Sequence, residues 1–136
     1  MLDKTLRAAG GCLCGGVRYQ ISGRLREVIA CHCSQCARTS GNFVAATNCD
    51  RADLTLTTSE TLRWFRSSGV AERGFCGHCG GNLFWRPIHG DYVSVMAGTL
   101  DAPTGLRTVE HIYVGSKSDY YEITDGLPQQ DTWVAG

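Results

Sequence analysis

Residues 75–85, FCGHCGGNLFW, hold two cysteines separated by two residues, followed by Gly80, Gly81 and an apolar run of strand length. This is the form of a zinc knuckle: glycine turns the chain with positive φ, so backbone N–H groups face the two sulfurs and stabilise their charge. One knuckle supplies half of a closed tetrahedral site. The other half lies in residues 10–19, GGCLCGGVRY, where Cys12 and Cys14 alternate along an extended segment with both side chains on one face and Leu13 on the other. Alone, that pair reads equally well as two small buried residues. With Cys76 and Cys79 it completes a tetrathiolate site that clips the N-terminal segment to a distant hairpin and contributes folding energy outright.

A third cluster, residues 30–41, ACHCSQCARTSG, has only three sulfurs. With Cys31 and Cys33 on an extended stretch and Cys36 in the first turn of a short helix, the three converge on one point, Cys36 being acidified by the helix end. A three-sulfur metal site keeps a vacant corner, and a vacant corner is where chemistry occurs. His32, between two ligands, points away and reads as a hydrogen-bonded or exposed histidine, as does His78. Cys49 has no cysteine neighbour and reads as a half-exposed bystander thiol at a strand end. Three thiolates leave zinc a poor Lewis acid, so hydrolysis is not its natural chemistry. A thiolate-rich zinc is better suited to holding a substrate thiol as its nucleophilic thiolate beside a small electrophile.

The chain's 136 residues suit one domain. Lys plus Arg balances Asp plus Glu at 13 each, which argues against a nucleic-acid binder, since phosphate tracking calls for a basic excess. No stretch has the length of a membrane span and the start has no signal-peptide character, so a soluble cytoplasmic protein is expected, where clustered cysteines are metal ligands or catalytic thiols rather than disulfides. Short alternating or β-branched runs at 17–21, 43–46, 54–57, 62–65, 82–85, 92–96, 112–114 and 120–123 read as strands, punctuated by Gly, Asp, Asn or Ser. A helix is expected only over 34–40, with Ser34 as N-cap and Gly41 as its stop. The chain is therefore mainly β, one domain over residues 10–128 with tails at 1–9 and 129–136.

The segments GCLCGGVRY, CHCSQCARTSG, LRWFRSSGVAERGFCGHCGGNLFW, AGTLD and HIYVGSKSDYYEITDGLP together resemble the glutathione-dependent formaldehyde-activating family, which also includes domains related to centromere protein V. The resemblance implies an Mss4-like, β-tent zinc-binding fold. It implies a structural zinc on Cys12, Cys14, Cys76 and Cys79, and a catalytic or labile zinc on Cys31, Cys33 and Cys36. The implied partners are a small thiol, glutathione, and an aldehyde, joined as an S-hydroxymethyl adduct by a carbon–sulfur lyase type of enzyme. Cys49 matches no ligand position. After Lys117 the family tends to have a small residue, a proline and a tryptophan, where this chain has Ser118, Asp119 and Tyr120.

Beyond the cysteines, Arg38, Arg63, Arg66 and Arg73 flank the motifs and are either solvated strand-face charges or grips for the carboxylates of a glutathione-like ligand. Trp64, Phe65, Phe75, Phe84 and Trp85 read as core or hairpin packing, and His111 as an ordinary hydrogen-bonded histidine. Two other readings stand beside the enzyme. One is a non-catalytic zinc module that binds a partner or buffers metal, favoured by the lack of an evident general acid or base near the triplet. The other is iron in a rubredoxin-like centre, which needs four closed cysteines.

Overall fold

The computed structural model describes residues 5–133. In chain order the elements are β1 (Leu6–Gly11), β2 (Arg18–Ser22), β3 (Val28–Cys31), α1 (Ser34–Ser40), β4 (Val44–Asp50), β5 (Leu54–Thr58), β6 (Leu62–Arg66), β7 (Ala71–Cys76), β8 (Asn82–Pro87), β9 (Tyr92–Met96) and β10 (Thr108–Ile112). They form a three-stranded sheet in the order β1-β2-β5 and a seven-stranded sheet in the order β10-β3-β4-β9-β8-β7-β6. Pairing is antiparallel except between β10 and β3.

The pleat of the large sheet sorts its residues onto two faces, because successive side chains alternate. On one face Cys49, Val93, Val95 and Phe84 meet Tyr19, Ile21 and Val17 in the main core. Tyr19 and Phe84 pack edge to face with centroids 5.4 Å apart. A bulge opposite Gly74 and Phe75 leaves Leu83 as the extra residue of β8, and both Leu83 and Phe84 are fully buried. On the other face β4 presents Val44, Ala46 and Asn48, and β9 presents Tyr92, Ser94 and Met96; these border a cavity.

The mainly β expectation matches the structure, with differences in detail. The expected N-terminal tail belongs to the sheet from Leu6, because Leu6–Gly11 pairs with β2. At the other end the backbone N–H of Gln130 donates to the His111 carbonyl, so residues expected as tail line up beside β10; residues 1–4 and 134–136 of those tails lie outside the described residues. Residues 120–123 form no strand. They are tied down by side chains: Tyr120 Oη donates to the Gly41 carbonyl at 2.5 Å, Lys117 Nζ donates to the Tyr121 carbonyl, and Tyr121 stacks on Phe43. β7 hides in sequence because its charges and Gly74 break the apolar alternation, yet Arg73 and Gly74 are both buried.

Gly10 bridges to Leu100 beyond β9, and a Cβ there would collide with the Thr99 carbonyl oxygen and lie 2.5 Å from Tyr19 Oη. Gly10→Ala is expected to destabilise the fold by about 1–3 kcal/mol through overpacking, read as a lower urea midpoint at unchanged m-value. An unchanged midpoint would show that the chain around Thr99 yields freely at this point.

Candidate metal centres and cavity

The first cluster is assembled from two loops. Cys12 and Cys14 lie in the β1–β2 connection, Cys76 ends β7, and Cys79 lies in the turn before β8. The four sulfurs all lie within 4.8 Å of one another, with Cys12 to Cys14 at 3.7 Å and Cys14 to Cys76 at 3.6 Å. Tetrahedral zinc with bonds of about 2.3 Å requires sulfur separations of about 3.8 Å, so the donor set fits. Backbone N–H groups face the sulfurs as a knuckle demands: Val17 donates to Cys12, Gly16 to Cys14, and His78 and Cys79 both to Cys76. The Cys79 N–H, then the Thr61 hydroxyl, draw the Cys76 thiol down to about 5. Gly80 has the positive φ, at 77°. Gly81 serves by size, since a Cβ there would stand 3.3 Å from Cys12 Cβ.

The second cluster forms where β3 ends and α1 begins. Cys31, Cys33 and Cys36 place their sulfurs within 4.8 Å of one another, with Cys33 to Cys36 at 3.1 Å. Helix α1 covers the expected residues and stops at Gly41, whose φ is 96° and whose N–H donates to the Ala37 carbonyl. The N-cap, however, is Cys33 rather than Ser34: its sulfur accepts the Cys36 N–H at 3.2 Å. Acidification falls accordingly on Cys33, which hydrogen bonds from Cys31 and Cys36 and the Cys36 N–H hold low. Cys36 itself is raised; the Cys31 contact lowers it, but Cys33 and burial outweigh this. No fourth His, Cys, Asp or Glu joins the triplet among the described residues.

All three sulfurs line a cavity of about 750 Å³ on the open face of the large sheet. Val44 and Met96 form a small apolar cluster with Cys36, and Ala46 and Trp85 pack against it. Arg73 is 5% exposed, with Nη2 3.8 Å from Cys36 Sγ and 3.4 Å from Gln35 Oε1, while its Nε is buried without a partner. The other expected arginines, Arg38, Arg63 and Arg66, lie exposed and away from the cavity lining. Trp85, expected in the core, faces the cavity instead, because it stands one pleat from buried Phe84. Phe65 is largely exposed on the edge strand β6, and Trp64 stacks on Phe84 beneath the Arg86 guanidinium.

His32 points away from the sulfurs, as expected, and is buried. Its Nε2 lies 2.9 Å from His111 Nδ1, and His111 Nε2 lies 2.8 Å from Asp125 Oδ2. With Asp125 ionised, His111 donates to the carboxylate and accepts from His32, which leaves His32 Nδ1 as the unpartnered acceptor. Burial and His111 push the His32 imidazole below its ordinary value. This three-residue chain, and the cavity residues Arg26, Asn48, Ser94 and Met96, were not anticipated. The polar interruptions at Asn48 and Ser94 within apolar strands were the available signal.

Such an arrangement defines a mainly β protein built around two cysteine clusters whose sulfurs gather closely enough to hold a metal ion, one of four sulfurs and one of three opening on a cavity. The chain belongs to the family described as glutathione-dependent formaldehyde-activating enzyme, whose model matches residues 7–116. The family's Mss4-like architecture agrees with the two-sheet fold. No curated protein matches the chain. A crystal structure of a Rhodobacter sphaeroides protein is similar in fold, with a TM-score of 0.58 and 24% identity over 69% of this chain and 88% of that one. No helix among the described residues is long and apolar enough to cross a membrane.

Cys49 stands apart from both clusters, buried in the core face of β4 rather than half-exposed. Burial pushes its thiol up from 9.0 to about 12. Alkylation of Cys49 by iodoacetamide near pH 8, followed by peptide mass mapping, is expected on the order of 1,000-fold more slowly in the native protein than in urea, the factor by which its thiolate fraction falls. Equal rates would place Cys49 at the surface.

Proposed function

We propose that this chain is a zinc-dependent enzyme of the carbon–sulfur lyase type that joins glutathione, or a similar thiol, to formaldehyde or a related aldehyde, giving an S-hydroxymethyl thiol adduct. The observation that carries this reading is the convergence of Cys31, Cys33 and Cys36 at the wall of a cavity without a fourth protein donor among the described residues. Cys12, Cys14, Cys76 and Cys79 would hold a structural zinc, and Cys31, Cys33 and Cys36 a catalytic or labile one. Zinc held at the triplet would supply an affinity for the substrate's thiolate.

The chain's own residues do the rest. Arg73 brings a positive charge beside the sulfurs. Val44, Met96 and Trp85 give the cavity an apolar wall against which the two reactants are held together, so the gain is mostly proximity. In the reaction a sulfur–carbon bond forms, the carbonyl π pair moves to oxygen, and that oxygen gains the proton the thiol gives up. No oxidation occurs. Among the described residues the cavity lining holds no Asp, Glu, His or Lys, which also favours the second reading, a zinc module without turnover.

Metal analysis and NMR exchange separate these readings. Two zincs per chain are expected, one removed by mild chelation and protected by glutathione. Cys36→Ser should lose that zinc and about 10–100-fold or more of the acceleration of glutathione–formaldehyde exchange, while Cys79→Ser should lower the melting temperature. Exchange rates unaffected by the native protein would refute the enzyme, and one zinc indifferent to thiols would support the module.

A further inference from the structure

His32 lies in the gap between β3, which ends at Cys31, and α1, which starts at Ser34. Residues 32 and 33 belong to neither element, so the backbone at His32 decides where Cys33 stands relative to Cys31. Two bonds hold that backbone: the His32 N–H donates to the Ile112 carbonyl at 2.9 Å, and the His32 carbonyl accepts from Ser116 Oγ at 3.0 Å. The third hold is on the side chain. Its ring packs against Phe43 and Tyr121, contacts that do not distinguish the two ring nitrogens. The hydrogen bonds to His111 and onward to Asp125 do.

That chain of bonds has a direction, and Asp125 sets it. The His111 bond, then the Leu127 N–H, hold the Asp125 carboxyl below the usual carboxylate range, so near neutral pH it only accepts. For two neutral imidazoles the order is then fixed. His111 carries its proton on Nε2, 2.8 Å from Asp125 Oδ2, and offers a bare Nδ1 to His32 Nε2–H, 2.9 Å away. Both imidazoles are buried, so neither turns to water for another partner. Without the carboxylate, His111 is free to carry its proton on Nδ1. That points an N–H at the His32 N–H, or forces the His32 proton onto Nδ1, which has no partner among the described residues. Either way the side-chain hold on the residue joining two sulfurs is weakened.

Resting on the reading of Cys31, Cys33 and Cys36 as a zinc site, we propose that Asp125 is a positioning residue for that site. Through His111 it fixes the His32 ring, and through His32 the placement of Cys33 against Cys31. Asp125 does not line the cavity. It acts as the outer carboxylate behind a metal-binding histidine does, by orienting what carries the ligand, with one more residue in between. The four-sulfur site is outside this chain of bonds, its sulfurs being met by the N–H groups of Val17, Gly16, His78 and Cys79.

The chain has four histidines, so ring-¹⁵N spectra of the zinc-loaded, ¹⁵N-histidine-labelled protein are simple to read. His32 and His111 should both be protonated at Nε2 and bare at Nδ1. The variant to test is Asp125→Ser, because Asp125 Oδ1 also accepts the Leu127 N–H at 3.0 Å. A serine hydroxyl makes that same turn bond but is too short for His111. Asp125→Ser should lose the native ring pattern, and in chelator competition should bind the triplet's zinc about tenfold or more weakly, with the other zinc unchanged. A double-mutant cycle isolates the route. His111→Asn leaves His32 an acceptor but cuts the link to Asp125, so adding Asp125→Ser to it should weaken zinc binding no further. Native His111 protonated at Nδ1, native zinc affinity in Asp125→Ser, or an equal loss with and without His111→Asn overturns the proposal and leaves the zinc site standing. A native triplet that takes up no zinc sinks that site, and this role for Asp125 with it.

Discussion

The pleat of β4 and β9 is the constraint on which the rest of the molecule depends. Both strands are central in the seven-stranded sheet, so each must satisfy two faces at once. Thr47, Cys49, Val93 and Val95 turn one way and are almost wholly buried; Val44, Ala46, Asn48, Ser94 and Met96 turn the other way and border the cavity. A slip of one residue would exchange these sets, sending Asn48 and Ser94 into the core and Val93 and Val95 toward water. Register here therefore decides fold and site together, and the antiparallel pairing of Ala46 with Met96 through Asp50 with Tyr92 holds it.

The same alternation positions the sulfurs. Cys31 and Cys33 stand on the cavity side because His32 between them is taken by the opposite side, where it packs against Phe43 and Tyr121 and joins His111 and Asp125. Backbone bonds reinforce this anchorage: His32 N–H donates to the Ile112 carbonyl, and Ser116 Oγ donates to the His32 carbonyl. The chain segment carrying the sulfurs is thus held from behind by residues that contribute nothing to the cavity itself. Asp125 falls in the stretch tied down by Tyr120, Tyr121 and Lys117, which explains why a segment without strand pairing is nonetheless well placed.

Much of this was legible in the sequence where spacing alone determines geometry. The Cys12/Cys14 and Cys76/Cys79 pairs and the Cys31/Cys33/Cys36 triplet are local patterns, and each came together as its spacing implies. The stop at Gly41 was legible for the same reason. What escaped was anything that depends on partners distant in sequence. The strand character of Leu6–Gly11 comes from pairing with β2, not from its own small residues. Trp85 looks like core beside Phe84 until the register places it opposite Ser94. The His32–His111 contact spans 79 positions, which no single-sequence pattern predicts. Cys33 as N-cap was missed because serine is the stronger capping residue, and only the convergence of sulfurs gives the thiol that role.

Arg73 joins these levels in one residue. A buried guanidinium without a carboxylate partner is costly, and β7 nevertheless holds it at 5% exposure. Once ionised, the Cys36 sulfur 3.8 Å away would attract it by about 4 kcal/mol at an effective dielectric of about 20, enough to offset much of that cost. The compensation works only while the sulfurs carry negative charge, as metal binding would require of all three. Replacing Arg73 with a neutral residue would leave concentrated anionic charge facing Met96, Val44 and Trp85, an apolar surrounding that screens it poorly. The charge that makes this cluster attractive to a metal and the cation that lets it stay buried are therefore one design, set by the face of β7 that Arg73 occupies.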